Sequence, residues 1–188
     1  MQHPALLIID MQNDFVEDGM LLRVAQAQEI IPKIQDVLWY FRSKNFPIFH
    51  VLRIHRPEGS DVEITRADLF SEHPFAVSGT HGAEEVAELT SLPGEYVIEK
   101  TRMSAFIGTE LDLMLRTLKV DGIVVCGIQT PNCIRTTVFD AIAYNYPVIL
   151  VADATGAQSE EIHEANLRDM ANIGVTIMES PDILTQFG

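Results

Sequence analysis

The stretch Ala5-Leu6-Leu7-Ile8-Ile9-Asp10-Met11-Gln12-Asn13-Asp14-Phe15 opens with five apolar residues in a row and then turns polar at Asp10. A strand with one face in water alternates apolar and polar side chains, whereas an unbroken apolar run suits a strand covered on both faces. The same pattern returns at Ile48–Leu52, Tyr96–Ile98, Ile123–Cys126, Val148–Val151 and Val175–Met178. Amphipathic stretches separate these runs. Ala27–Lys44 carries Ile30, Ile34, Val37, Leu38 and Phe41 at helical spacing. Thr109–Leu118 carries Leu111, Met114, Leu115 and Leu118, with Thr109 and Asp112 spaced as a cap pair. A third helix is expected from Pro131 to about Tyr144, and a fourth over Glu160–Asn172, ended by Gly174. Strands alternating with helices predict an α/β fold: a parallel, doubly wound, Rossmann-like sheet with helices on both faces. The stretch Ile54–Gly82 breaks the rhythm. It is long, polar and poorly periodic, which fits either a binding loop or a surface or subunit-contact insertion.

Composition narrows the function. The chain has 188 residues, 47% hydrophobic and 21% charged, the mix of one packed globule, so a single domain over residues 1–188 is expected. A formal net charge of -14, from 13 Lys and Arg against 27 Asp and Glu, repels phosphate backbones and anionic lipid. Neither nucleic acid nor a membrane is an expected partner, and a small molecule is. Two cysteines make no disulfide framework, the start MQHPALLIID lacks a basic leader, and no apolar run is long enough to span a bilayer. A cytoplasmic, reducing setting is the expectation.

Ligands of such sheets bind beyond the carboxyl ends of the strands, near the point where strand order reverses. The polar residues there are Asp10, Gln12, Asn13 and Asp14 after the first run; Arg53, His55 and Arg56 after the second; Lys100 after the third; Gly127-Ile-Gln-Thr-Pro-Asn-Cys133 after the fourth; and Asp153 after the fifth. A carboxylate, an ammonium and a thiol thus share one sheet edge. Each alone has a plain structural reading: Asp10 as a turn cap, Lys100 as a solvated charge, Cys133 as a small buried residue. Together they suggest a nucleophile with its base. Cys126, inside Ile-Val-Val-Cys, is expected to be buried and inert. Cys133, in the first turn of a helix and near Lys100, is expected to be held as a thiolate. Asp10 would handle protons, and N–H groups of the Gln129–Cys133 loop would bind an oxyanion. No Gly-x-Gly-x-x-Gly follows the first strand, so a dinucleotide enzyme is disfavoured.

These residues resemble the isochorismatase-like cysteine hydrolases, the superfamily of nicotinamidases, carbamoylsarcosine amidohydrolases, ureidoacrylate and biuret hydrolases, and isochorismatases. The matching blocks are Ala5 to Phe15, Lys100-Thr-Arg-Met-Ser-Ala-Phe106 with Gly108-Thr109, Gly127-Ile-Gln-Thr-Pro-Asn-Cys133-Ile-Arg-Thr-Thr, and Val151-Ala-Asp153-Ala. The resemblance implies a three-layer α/β/α fold with six parallel strands and an Asp10–Lys100–Cys133 triad. It also implies a cis peptide at Ile128–Gln129, with the amides of Gln129 and Cys133 facing the oxyanion. Family members assemble as dimers or tetramers, so a homo-oligomer is expected, with Trp39 either at a contact or in the core.

Two departures shape the expected chemistry. Nicotinamidases hold a metal through an Asp-x-His pair and a further His, but here the stretch reads Arg53-Ile-His55. Without that carboxylate neither a metal nor any other cofactor is expected. Isochorismatases lack the nucleophilic cysteine, which Cys133 supplies. The expected activity is therefore cysteine-dependent hydrolysis of a linear amide, ureido or carbamoyl C–N bond through a thioester-type intermediate. The alternatives are a vinyl-ether hydrolase using Asp10 alone, or a catalytically silent binding protein. Gln12, Phe15, Arg53 and His55 are the candidate substrate contacts. Arg53, His55 and Arg56 either recognise a substrate carboxylate or ureido oxygen or pair with Asp61 and Glu63, and Phe15 and Phe106 either line the pocket or pack in the core.

Overall fold

The computed structural model describes residues 1–187. Six strands form one sheet: β1 Pro4–Ile9, β2 Ile48–Arg53, β3 Tyr96–Lys100, β4 Gly122–Ile128, β5 Val148–Gly156 and β6 Thr176–Met178. Their order is β3-β2-β1-β4-β5-β6, and every pairing is parallel. The chain winds outward one way from β1 to β3 and the other way from β4 to β6, so the order reverses between β1 and β4.

Alternate residues of each strand supply opposite cores. Leu6 and Ile8 of β1, with Val124 and Cys126 of β4, pack under Ile34, Val37, Leu38 and Phe41 of helix α2 (Ile31–Lys44). Helix α7 (Ser180–Gln186) adds Ile183 to the same side. Ala5, Leu7 and Ile9, with Val125 and Leu150, face helix α4 (Leu111–Thr117), helix α5 (Arg135–Ala143) and helix α6 (Glu160–Asn172). All these strand residues are at most 1% exposed, which accounts for apolar runs without alternation.

The differences from the sequence reading lie at element ends. Helix α2 begins at Ile31 rather than Ala27, with Pro32 in its first turn, where the missing N–H leaves no bond unmade. Glu110, not Thr109, precedes α4, and the Thr109 hydroxyl accepts from the Leu111 N–H. Asp153 lies within β5, and its carboxylate accepts from the N–H and hydroxyl of Ser180, capping α7. Trp39 is 68% exposed, so its core option falls. Residues 54–82 are not structureless: they hold a 3-10 turn Ile64–Arg66, helix α3 (Ala67–Glu72) and a bridge from His55 to Val77. Helix α1 (Asn13–Val16), one turn long, follows β1. No helix among the described residues is long and apolar enough to cross a membrane.

Candidate active site

Asp10 is the first residue past β1, at the point of strand reversal. Its φ of 55° places it in the left-handed region, which Asp tolerates better than bulkier residues, and its N–H is pinned to the Val51 carbonyl at 2.8 Å. Lys100 ends β3 and is 1% exposed. Its Nζ donates to Asp10 Oδ2 at 2.9 Å, to the Arg102 carbonyl at 3.1 Å and to Cys133 Sγ at 3.5 Å. The three donors of this buried ammonium thus have three acceptors.

The chain reaches Cys133 by a sharp exit from β4. Gly127 has a φ of 109°, and a Cβ there would sit 2.2 Å from the Ile9 carbonyl oxygen, so glycine alone allows β4 to pass this close to β1. The next peptide, Ile128–Gln129, is cis. Residues Thr130–Ile134 make one wide helical turn that leads into α5. The Gln129 carbonyl accepts from the N–H of Asn132 and of Ile134, at 3.0 and 3.2 Å, and Thr130 Oγ1 bonds His163 of α6 at 2.9 Å. Cys133 is 8% exposed.

The charge state of Cys133 departs from the sequence expectation. Burial and the Asp10 carboxylate push the thiol above its ordinary value, and the opposing pull of Lys100 and Arg53 does not reverse this. The surroundings of the resting sulfur thus favour the thiol beside a base over a standing thiolate. Asp10 Oδ1 is buried and has no hydrogen-bond partner among the described residues, which leaves that oxygen available for a proton.

Of its sequence readings, Arg53 meets the structural one, pairing with Glu63, while it also stands beside the sulfur. Its Nη1 is bidentate to Glu63, at 2.8 and 3.0 Å, and its Nη2 reaches Cys133 Sγ at 3.8 Å. Burial works against its charge, but the surrounding Cys133, Asp10 and Glu63 outweigh burial and hold the guanidinium above its ordinary value. Asp10, Phe15, Arg53, Gln129 and Cys133 line a cleft of about 40 Å³. That is room for about three waters, or for the reacting group of a small molecule.

Two expected substrate contacts do not face this cleft. Gln12 is fully buried. Its amide nitrogen donates to the carbonyls of Arg53 and Ala83, at 2.9 and 2.7 Å, and its oxygen accepts from the Arg53 N–H at 2.8 Å. It splints β2 to the residue-83 segment because every polar atom this deep needs a partner. His55 is also fully buried; its Nδ1 meets Asp61 at 3.2 Å and its ring stands edge-on to Phe70 and Phe75. Phe106 is core, packed with Tyr144 and Tyr146. Sequence reasoning missed four lining residues, Val24, Arg66, Ile128 and Asn132. Ile128 and Asn132 lie in the Gly127–Cys133 block, and the other two come from outside the strands and main helices, with no local signature.

The residues present do not fit a divalent metal. Among the described residues no cluster of three or more His, Cys, Asp or Glu side chains is placed to hold one. His55 Nε2 has no partner, but burial and then the neighbouring Arg53 charge lower the basicity of that ring, and a second cation there would be repelled.

Comparison with known proteins bears on the family and the fold. The family model described as the isochorismatase domain matches residues 4–182. A solved isochorismatase family protein from Desulfovibrio vulgaris superposes with a TM-score of 0.94 at 44% identity, covering 98% of this chain and 100% of that one. The N-carbamoylsarcosine amidase of Thermoplasma acidophilum superposes with a TM-score of 0.80 at 31% identity, covering 94% and 96%. An Arabidopsis thaliana protein, named as a probable inactive nicotinamidase, is 44% identical over 93% of this chain and 91% of its own. With the matched domain spanning the whole sheet and both flanking layers, the chain belongs to the isochorismatase family.

Proposed function

We propose that the protein is a cysteine hydrolase of a linear C–N bond in a small amide, ureido or carbamoyl compound. One observation carries this: Cys133 Sγ, Lys100 Nζ and Asp10 Oδ2 form a continuous chain with links of 3.5 and 2.9 Å at the wall of a cleft. In the first half-reaction Asp10 takes the thiol proton as Cys133 Sγ bonds to the substrate carbonyl carbon. The N–H groups of Gln129 and Cys133 receive the developing oxyanion. The C–N bond then breaks, the Asp10 proton passes to nitrogen, and ammonia or an amine leaves a thioester or thiocarbamate on sulfur. In the second half-reaction Asp10 takes a proton from water, the hydroxide adds to the same carbon, and the C–S bond breaks to free the acid and restore the thiol. Lys100 holds the Asp10 carboxylate in place at 2.9 Å and, 3.5 Å from the sulfur, offsets the charge on departing sulfur.

The test is an ammonia-release screen over ureido acids, carbamoyl amino acids, biuret and nicotinamide, with wild type and C133A side by side. Turnover that disappears in C133A supports the scheme. Vinyl-ether hydrolysis that survives C133A transfers the chemistry to Asp10 alone. The Arabidopsis relative's name favours a silent binding protein as the rival reading. Substrate bound at equilibrium without turnover by wild type would establish that rival.

A further inference from the structure

We infer that the molecule processed at this site carries a carboxylate, and that Arg66 receives it. The inference deepens the proposed reaction and rests on it for the word substrate. Two cations line the cleft, Arg53 and Arg66, and a third, Lys100, stands 3.5 Å from the Cys133 sulfur. Lys100 is answered by Asp10 at 2.9 Å, and Arg53 by Glu63 at 2.8 Å. Arg66 has no carboxylate within ion-pair distance and donates no side-chain hydrogen bond among the described residues, although it lines the same cleft as Cys133. Glu63, whose carboxyl also feels the Arg66 charge, spends both oxygens on Arg53.

The surroundings hold this guanidinium in place. Arg66 closes the 3-10 turn Ile64–Arg66, and its guanidinium carbon stands 5.9 Å from the centre of the Phe75 ring. Phe75 is buried and packs against Phe15, another lining residue. An arginine supported on an aromatic face keeps its planar fork free for a bidentate anion. In a chain of net charge -14, a cleft with one cation more than its carboxylates selects against the bulk of the surface. A neutral amide would leave that guanidinium unanswered, whereas a ureido or amide acid would place its carboxylate on Arg66 and its carbonyl at Cys133.

Two measurements test this separately from catalysis. The first compares labelling of Cys133 by iodoacetate and by iodoacetamide, with N-acetylcysteine as the free-thiol standard. The expected iodoacetate-to-iodoacetamide rate ratio exceeds that of the free thiol, falls about tenfold in R66Q and is largely kept in R66K. A wild-type ratio equal to that of the free thiol, unmoved by R66Q, overturns the inference even if the protein proves to be an active amidohydrolase. The second compares ureidoacetate with ethylurea. R66Q should lower kcat/KM for ureidoacetate by about 10- to 100-fold, mainly through KM. Ethylurea hydrolysed as well as ureidoacetate by wild type would overturn it too. An Arg66-dependent labelling ratio in a protein that turns nothing over would sink the hydrolase reading and leave the anion site standing.

Discussion

Cys126 and Cys133 are both free, both buried and seven positions apart, yet they occupy different chemical worlds. Cys126 is fully enclosed within β4, packed among Leu6, Ile8 and Val151 beneath α2. Burial, with a smaller push from Asp153, drives its thiol far above the ordinary range. Cys133 is almost as hidden, but its neighbours are an ammonium at 3.5 Å and a guanidinium at 3.8 Å, with the Asp10 carboxylate acting on it as well. Exposure therefore does not separate the two thiols. The difference lies in what the sulfur is buried against, and Gly127 is where the chain crosses from one environment to the other.

The sharpest way to break the contrast is substitution of each cysteine. C133A should abolish turnover, a loss of at least about 10³-fold in kcat, while C126A stays within about tenfold of wild type. Comparable losses from both, measured on the same substrate, would mean that Cys133 is not the nucleophile.

Alkylation by iodoacetamide followed by peptide mass spectrometry gives the next largest effect. In the folded protein Cys133 should label at least about 100-fold faster than Cys126, and in denaturant the two should converge. Because the Cys133 thiol is pushed up, its labelling rate should still be climbing at pH values where a free thiol has levelled off. D10N removes a charge that raises this thiol, so the profile should move to lower pH. A profile unchanged by D10N would show that Asp10 does not act on the sulfur.

Two stability measurements finish the series. G127A forces a Cβ against the Ile9 carbonyl and should cost about 2–4 kcal/mol in denaturant unfolding. A cost below about 0.5 kcal/mol would mean that the β1–β4 contact gives way easily. C126S places a hydroxyl in an apolar core and should cost about 1–3 kcal/mol, against less than about 0.5 for C133S, whose hydroxyl meets Lys100.

The inner strands were legible because a strand buried on both faces leaves an unbroken apolar run, whereas the edge strands β3 and β6 are only partly buried. The runs ended within two residues of the observed strand end except in β5, which continues five residues past Val151. The meeting of Asp10, Lys100 and Cys133 was legible for a related reason: parallel strands bring their carboxyl ends to one edge, so residues 123 positions apart in the chain share it. What stayed hidden depended on side-chain partners. Gln12 reads as a polar residue at a strand end, and only the arrival of Ala83 beside Arg53 turns it into a splint. His55 is claimed by Asp61 and by two phenyl rings from the same irregular stretch. Arg66 sits in that stretch as well, where neither helical nor strand spacing assigns it a direction. The charge on Cys133 was misjudged because dipole and cation arguments omit the cost of burying an anion, which here outweighs them.

The upward push on the Cys133 thiol also bears on survival under oxidative stress. Peroxide attacks thiolates, so a sulfur biased toward its neutral form and 8% exposed should offer such oxidants little purchase. Damage by oxidants should then track the presence of a bound, reacting molecule rather than the age of the protein.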